Sequence, residues 1–255
     1  MNLFVYWNHT TIFSINEHVL KDSNKEVCTS KKEGLTSNMK NLIKQTPVSM
    51  ISTYIVAQFL PVLILALASK NYQTEALIYG TIFSFTAGTL VMLLLNRKST
   101  IRNSLTLSSS APIKQVIMWG LIGTLMAFAS QIVATLIESQ LLGLQMESVN
   151  TQNILVTISK YPYYLIIVSI MAPIMEEFIF RKVIFGFFYD LTGVVGAAVI
   201  SSLLFAFIHA DSHILLYSSM GFVFSYLYVK TKNIATPMIA HVLMNTSVVI
   251  LNLIQ

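Results

Sequence analysis

The chain predicts an all-α polytopic membrane fold, about seven transmembrane helices around an intramembrane polar cavity. Three observations lead there. The 255 residues are 55% hydrophobic and only 11% charged, with a mean hydropathy of +0.68, whereas soluble domains carry about 25% charged residues. Seven apolar stretches follow a polar start, most of them near the length a helix needs to cross a bilayer. Ionisable residues nevertheless recur inside the later stretches, four residues apart, where they share one helix face.

Residues 1–46 hold six Lys and four acidic residues. This composition predicts a polar, weakly ordered cytosolic segment. Met39-Lys-Asn-Leu-Ile-Lys leads straight into the first apolar stretch, so residues 1–38 are open to two readings, a native segment first and, as the alternative, an upstream extension or over-long gene start. No basic start followed by an apolar run marks a cleavable signal peptide. The single transmembrane domain, 47–255, contains apolar stretches at about 48–69, 75–95, 114–137, 161–188, 194–210, 213–229 and 234–253. A basic loop separates the second and third, a polar loop at 142–160 the third and fourth. The last three are joined by short turns. The fifth and sixth are only about 16–17 residues long, short of the roughly 20 that span a bilayer. They are therefore expected to be tilted, broken or incomplete around a water-filled cavity, the setting in which irregular backbone survives at membrane depth.

The charge pattern sets an expected orientation. With the N-terminus in the cytosol, the N-terminal lysines, Arg97, Lys98, Arg102 and Lys114, and Lys230 and Lys232 all face inside. Lys70 and Lys160 fall outside, as does the C-terminus. The net charge of +5 fits loop lysines at an anionic leaflet. No basic patch with interleaved aromatics suggests nucleic acid, so the expected partners are membrane lipid and a peptide or protein substrate at the membrane. The one cysteine, Cys28, excludes an intramolecular disulfide and a Cys-rich metal site.

The chemistry concentrates in three motifs: Glu176-Glu177-x-x-x-Arg181, Phe205-x-x-x-His209 and His241-x-x-x-Asn245. Charged groups inside a span are costly and usually functional. Glu176 and Glu177 project about 100° apart. Glu177 can pair with Arg181 one turn on, leaving Glu176 to face a cavity and act with an imidazole as general base. His and Asn are both suitable oxyanion donors. Asp190 and Asp211 read as turn residues, His213 as a solvent-facing loop residue, and Lys182 as a side chain reaching for the headgroups. The many Met, Phe and Tyr read as packing or lipid-facing residues.

These motifs, in this order, resemble the CPBP (Abi, or CAAX prenyl protease-like) family of intramembrane endopeptidases over residues 160–250. Ala172-Pro173, Gly221 and Pro237 fit the same pattern, while Lys182 stands where members often have Gly. The resemblance implies a peptidase with Glu176 and His209 activating water, His241 and Asn245 holding the oxyanion, and Glu177 and Arg181 bracing the site. It also admits a second role set, with Glu176, His209 and His241 as ligands of a divalent metal, zinc above all. Metal-independent catalysis is the preferred reading, because the His residues lack the His-Glu-x-x-His spacing of soluble zinc proteases. The alternatives are a catalytically silent membrane scaffold, a bacteriocin-immunity protein of the same family, and a proton-coupled transporter. The last would show a repeat between halves, and none is visible.

Overall fold

The computed structural model describes residues 46–254 except 98–100, 102 and 108. The expected N-terminal segment 1–46 lies, but for its last residue, outside them. The described residues form helices and no strand. Five helices are long and apolar enough to cross a membrane: Thr46–Leu67, Lys70–Arg97, Ile113–Leu142, Tyr164–Phe207 and Ala235–Leu253. The chain is thus an all-α polytopic membrane protein.

We name Thr46–Leu67 α1, Gln73–Arg97 α2 and Ile113–Leu142 α3. Val149–Lys160 is α4. It lies inside the stretch expected to be a polar loop. Its residues are too polar to register as a span, but Ser148 caps it by accepting from the Thr151 N–H, a standard start signal. Tyr164–Phe207 is one apolar run broken at Gly193 (φ 74°, ψ −175°), a backbone conformation open essentially to glycine alone. We therefore divide it into α5 (164–192) and α6 (194–207). Ser201 of α6 donates to the Phe180 carbonyl of α5 at 2.7 Å, so the chain doubles back at the break. Ile214–Thr231 is α7 and Ala235–Leu253 is α8.

α5 is the central helix. Between Pro173 and Phe185, residues Met175, Glu177, Phe178, Ile179, Phe180, Arg181 and Val183 are all buried, so every face of the helix packs against protein. Its backbone is irregular: Ile167–Met171 and Phe178–Phe185 are π-helical, with α-helical Ala172–Glu177 between them. In the first π turn the Ala172 N–H donates to the Ile167 carbonyl. The next bond of that series would need an N–H from Pro173, which has none. The stranded Val168 carbonyl instead accepts from Asn245 Nδ2 at 3.2 Å. Such π turns are often found at functional sites.

The remaining helices pack around α5. Ser84 of α2 donates to Ala57 O of α1 at 3.0 Å, and Thr89 of α2 donates to Met171 O of α5 at 3.3 Å. α6 and α7 approach closely at Gly221, where a Cβ would meet the Ser202 Cα at 2.9 Å. The loops sort onto two faces. Ser104 N donates to Asp190 at 3.1 Å, and Ala111 N donates to Thr231 O at 2.9 Å, joining the ends of α2, α5 and α7. On the opposite face Ser148 donates to Asp211 at 2.6 Å, joining α4 to the α6–α7 loop.

Three expectations are corrected. His213 is buried, only 2% exposed, with Nδ1 2.9 Å from Glu138. It is not a solvent-facing residue, because Glu138 also accepts from Leu215 N at 2.6 Å and Leu216 N at 3.3 Å. That carboxylate caps the start of α7 from α3, where the helix dipole favours negative charge. Lys182 donates to Asn96 of α2 and is half-buried, so its amine is taken up by protein. Asp190 belongs to the helix and tethers the loop at Ser104.

Candidate active site

Glu176, His209, His241 and Asn245 line one cavity of about 300 Å³. The sequence leaves a difficulty here, because His209 follows the end of one helix while His241 lies seven residues into another. It disappears because α6 holds only residues 194–207 and ends at the cavity's depth. α5 supplies Glu176, the turn after α6 supplies His209, and α8 supplies His241 and Asn245 one turn apart.

Behind the cavity wall lies a buried charge cluster. Glu177 and Arg181 are both fully buried, with Arg181 Nη1 3.2 Å from Glu177 Oε1. Arg181 Nη2 donates to Gly221 O at 3.2 Å. The guanidinium carbon sits 4.6 Å from the Phe205 ring and 5.2 Å from the Phe224 ring, so aromatic faces supply much of the compensation that water would otherwise give. Glu177 Oε1 also lies 2.9 Å from His241 Nδ1. A carboxylate can only accept, so Nδ1–H donates, and Nε2 is the nitrogen left to the cavity, 3.7 Å from Glu176 Oε2. Phe224 stacks on the His241 ring at 4.6 Å and 22°, fixing its plane. The i,i+4 pair expected from sequence is present, and it extends to a third partner 64 residues away.

His209 is oriented by backbone. Its Nδ1 lies 2.7 Å from the Phe205 carbonyl, which can only accept, so Nδ1 carries the proton and Nε2 is the basic nitrogen. The Phe205 ring meets His209 edge-on at 4.8 Å, but the carbonyl does the orienting. The stacking partner is Tyr217, 3.9 Å away at 20°. Tyr217 Oη lies 2.9 Å from Ser148 Oγ, which in turn donates to Asp211. Tyr217, Gly221 and Phe224 sit on one face of α7 at spacings of four and three. That spacing was visible in the sequence, but nothing distinguished these aromatics from the packing residues around them.

Asn245 lines the cavity while one of its amide hydrogens serves Val168. Among the described residues, no group of three His, Cys, Asp or Glu side chains is placed to hold a metal ion.

A carboxylate and two imidazoles thus line one cavity among apolar helices, and similarity to known proteins says which membrane proteins share this sequence. The family described as Type II CAAX prenyl endopeptidase Rce1-like matches residues 158–247, which span all three motifs. YdiL of Bacillus subtilis (strain 168), provisionally named a membrane peptidase, is 40% identical over 218 residues, 80% of this chain and 88% of its own. The membrane-embedded CAAX protease MroQ of Staphylococcus aureus (strain USA300) is 36% identical over 214 residues, 79% of this chain and 87% of its own. No solved structure matches the chain significantly. The chain belongs to the Type II CAAX prenyl endopeptidase Rce1-like family of membrane proteases.

Proposed function

We propose that the protein is an intramembrane endopeptidase that hydrolyses a peptide bond of a membrane-associated peptide or protein. The observation that carries this reading is the convergence of Glu176, His209 Nε2 and His241 Nε2 on one cavity. Glu176 and His209 take a proton from water, whose oxygen attacks the peptide carbonyl. The second amide hydrogen of Asn245 donates to the oxyanion as the carbonyl becomes tetrahedral, and His241 donates to it from Nε2 when it carries a proton on each ring nitrogen, Nδ1–H staying with Glu177. The proton then passes to the leaving amine as the C–N bond breaks. Glu177 is a positioning residue that holds the His241 ring, and Arg181 holds Glu177. Each step is carried by side chains of this chain.

Glu176→Gln keeps the shape of the side chain and removes its basicity. It is expected to abolish nearly all cleavage while membrane insertion and melting temperature stay as in the wild type. Comparative peptidomics of membrane and secreted fractions from wild-type and Glu176→Gln cells reads the result, and unchanged peptide profiles would refute the assignment. Cleavage is also expected to persist in strong chelator. Loss of activity restored by Zn²⁺ would move Glu176, His209 and His241 into ligand roles and leave the hydrolase reading standing.

A further inference from the structure

The cavity contains groups the proposed chemistry does not use. Gln131, on α3, lines it, and the Gln131 Oε1 is buried with no hydrogen-bond partner among the described residues. A buried acceptor left unpaired is costly, and native structures keep few of them. The wall around it is largely apolar, with Glu176 as its one carboxylate and His209 and His241 as its imidazoles. Phe85, Ile167, Leu216 and Met244 line it together with the carboxamides of Gln58 and Asn150, and no Lys or Arg is among its lining residues. Arg181, the nearest cation in sequence to the Glu pair, lies behind the wall and is already engaged by Glu177 and Gly221.

We infer that Gln131 is a substrate-positioning residue whose side-chain oxygen accepts a main-chain N–H from an uncharged, apolar stretch of peptide lying beside Glu176. The inference rests on the peptidase reading and specifies the chemistry of its substrate. A peptide entering this cavity gives up water from its backbone N–H groups, and each then needs an acceptor. A neutral carboxamide supplies one without selecting a side chain. The free carboxylate at a peptide's C-terminus would be held best by a Lys or Arg, and none lines the cavity among the described residues. The bond cut is therefore internal, with both ends of the chain outside the cavity.

The test uses the full-length Glu176→Gln protein in lipid nanodiscs, which holds peptide without consuming it. The probe is a fluorescein-labelled pool of N-acetylated, C-amidated decapeptides of Ala, Leu, Val, Phe and Ser, followed by fluorescence anisotropy. Gln131→Met, added to this background, keeps nearly the same volume and removes the acceptor. Binding is expected to weaken about tenfold, the scale of one lost hydrogen bond. The melting temperature is expected to hold or rise, because no existing bond is broken. Gln131→Asn, which keeps an amide, is expected to recover part of the binding. Equal binding by Gln131→Met and its parent would overturn the role of Gln131 and leave the peptidase reading intact. Weaker binding with a lowered melting temperature would make Gln131 structural and overturn it equally. A pool that binds neither protein would overturn both readings.

Discussion

Single residues at this site divide into those that face the cavity and those that hold them, and the two kinds fail differently. Arg181 and Glu177 share a compartment with no water-facing atom. Removing the guanidinium leaves a buried carboxylate with only His241 as partner, at a cost of about 3–5 kcal/mol. Asn245 contributes one neutral hydrogen bond to Val168, worth about 1 kcal/mol. Thermal unfolding in detergent is expected to show Arg181→Ala well below Asn245→Ala, with both inactive; equal melting temperatures would contradict the buried pair. Glu177 with Arg181 and His241 with Asn245 were legible as candidates from spacing, because polar pairs at i,i+4 inside apolar helices are costly in hydrocarbon, and Glu176 and His209 as ionisable residues in apolar stretches. The holders from elsewhere were not. Gly221 O, Tyr217 and Phe224 act through tertiary contacts, and Glu138 is a lone acidic residue just past an apolar stretch, with no local pattern to reveal its partner His213.

At the level of elements, α4 and the α6–α7 loop form a unit stitched by Asp211. This carboxylate, outside the membrane-crossing helices, accepts from Ser148 Oγ, from Asn150 N at 3.1 Å and from His213 N at 3.3 Å. Burial alone would raise its pKa, but the hydrogen bonds from Ser148, Asn150 and His213 outweigh it and hold the carboxyl below the ordinary aspartate value. Its contribution is thus complete above the unfolded-state value and is lost as pH falls through the lower folded one. Limited proteolysis between Gly143 and Tyr163 is expected to accelerate only at such acid pH in the wild type. Asp211→Asn is expected to be cut fast at every pH, and identical pH profiles for the two would dissolve the tether. The boundaries of the long helices were readable to within a few residues from hydropathy. α4 was not, since its helix is defined by a cap and by packing over the cavity rather than by an apolar run. The π turns of α5 were equally invisible, although Pro173 hinted that one carbonyl would need a donor from another helix.

The described residues have two loop faces, and basic residues gather on one. Arg97, Lys114, Lys230 and Lys232, with Asp190, flank the face where Ala111 meets Thr231, while Glu147, Asp211 and Lys160 lie on the face of α4. We propose that the first face is cytosolic. A reporter fused after Gln255 is then expected to read extracytoplasmic, and one inserted at Ser109 cytosolic. A cytosolic C-terminus would invert this orientation. The sequence carried this bias, and the loop contacts add that the basic segments are neighbours in space.

The shortness of α6 has a consequence for the lipid around it. Val195, Val199, Leu203 and Phe207 are exposed along this helix, so residues 194–207 present an apolar face to a surrounding bilayer. That is about 21 Å of rise against a hydrocarbon core of about 30 Å. A bilayer is expected to thin on this flank, which would bring water toward His209. The proposed hydrolysis is then expected to depend on membrane mechanics as well as on side chains. Reconstituted protein is expected to cleave fastest in bilayers of short-chain lipid and to slow as the chains lengthen at constant headgroup. A rate indifferent to chain length would mean that protein alone, and not a deformed membrane, supplies the water.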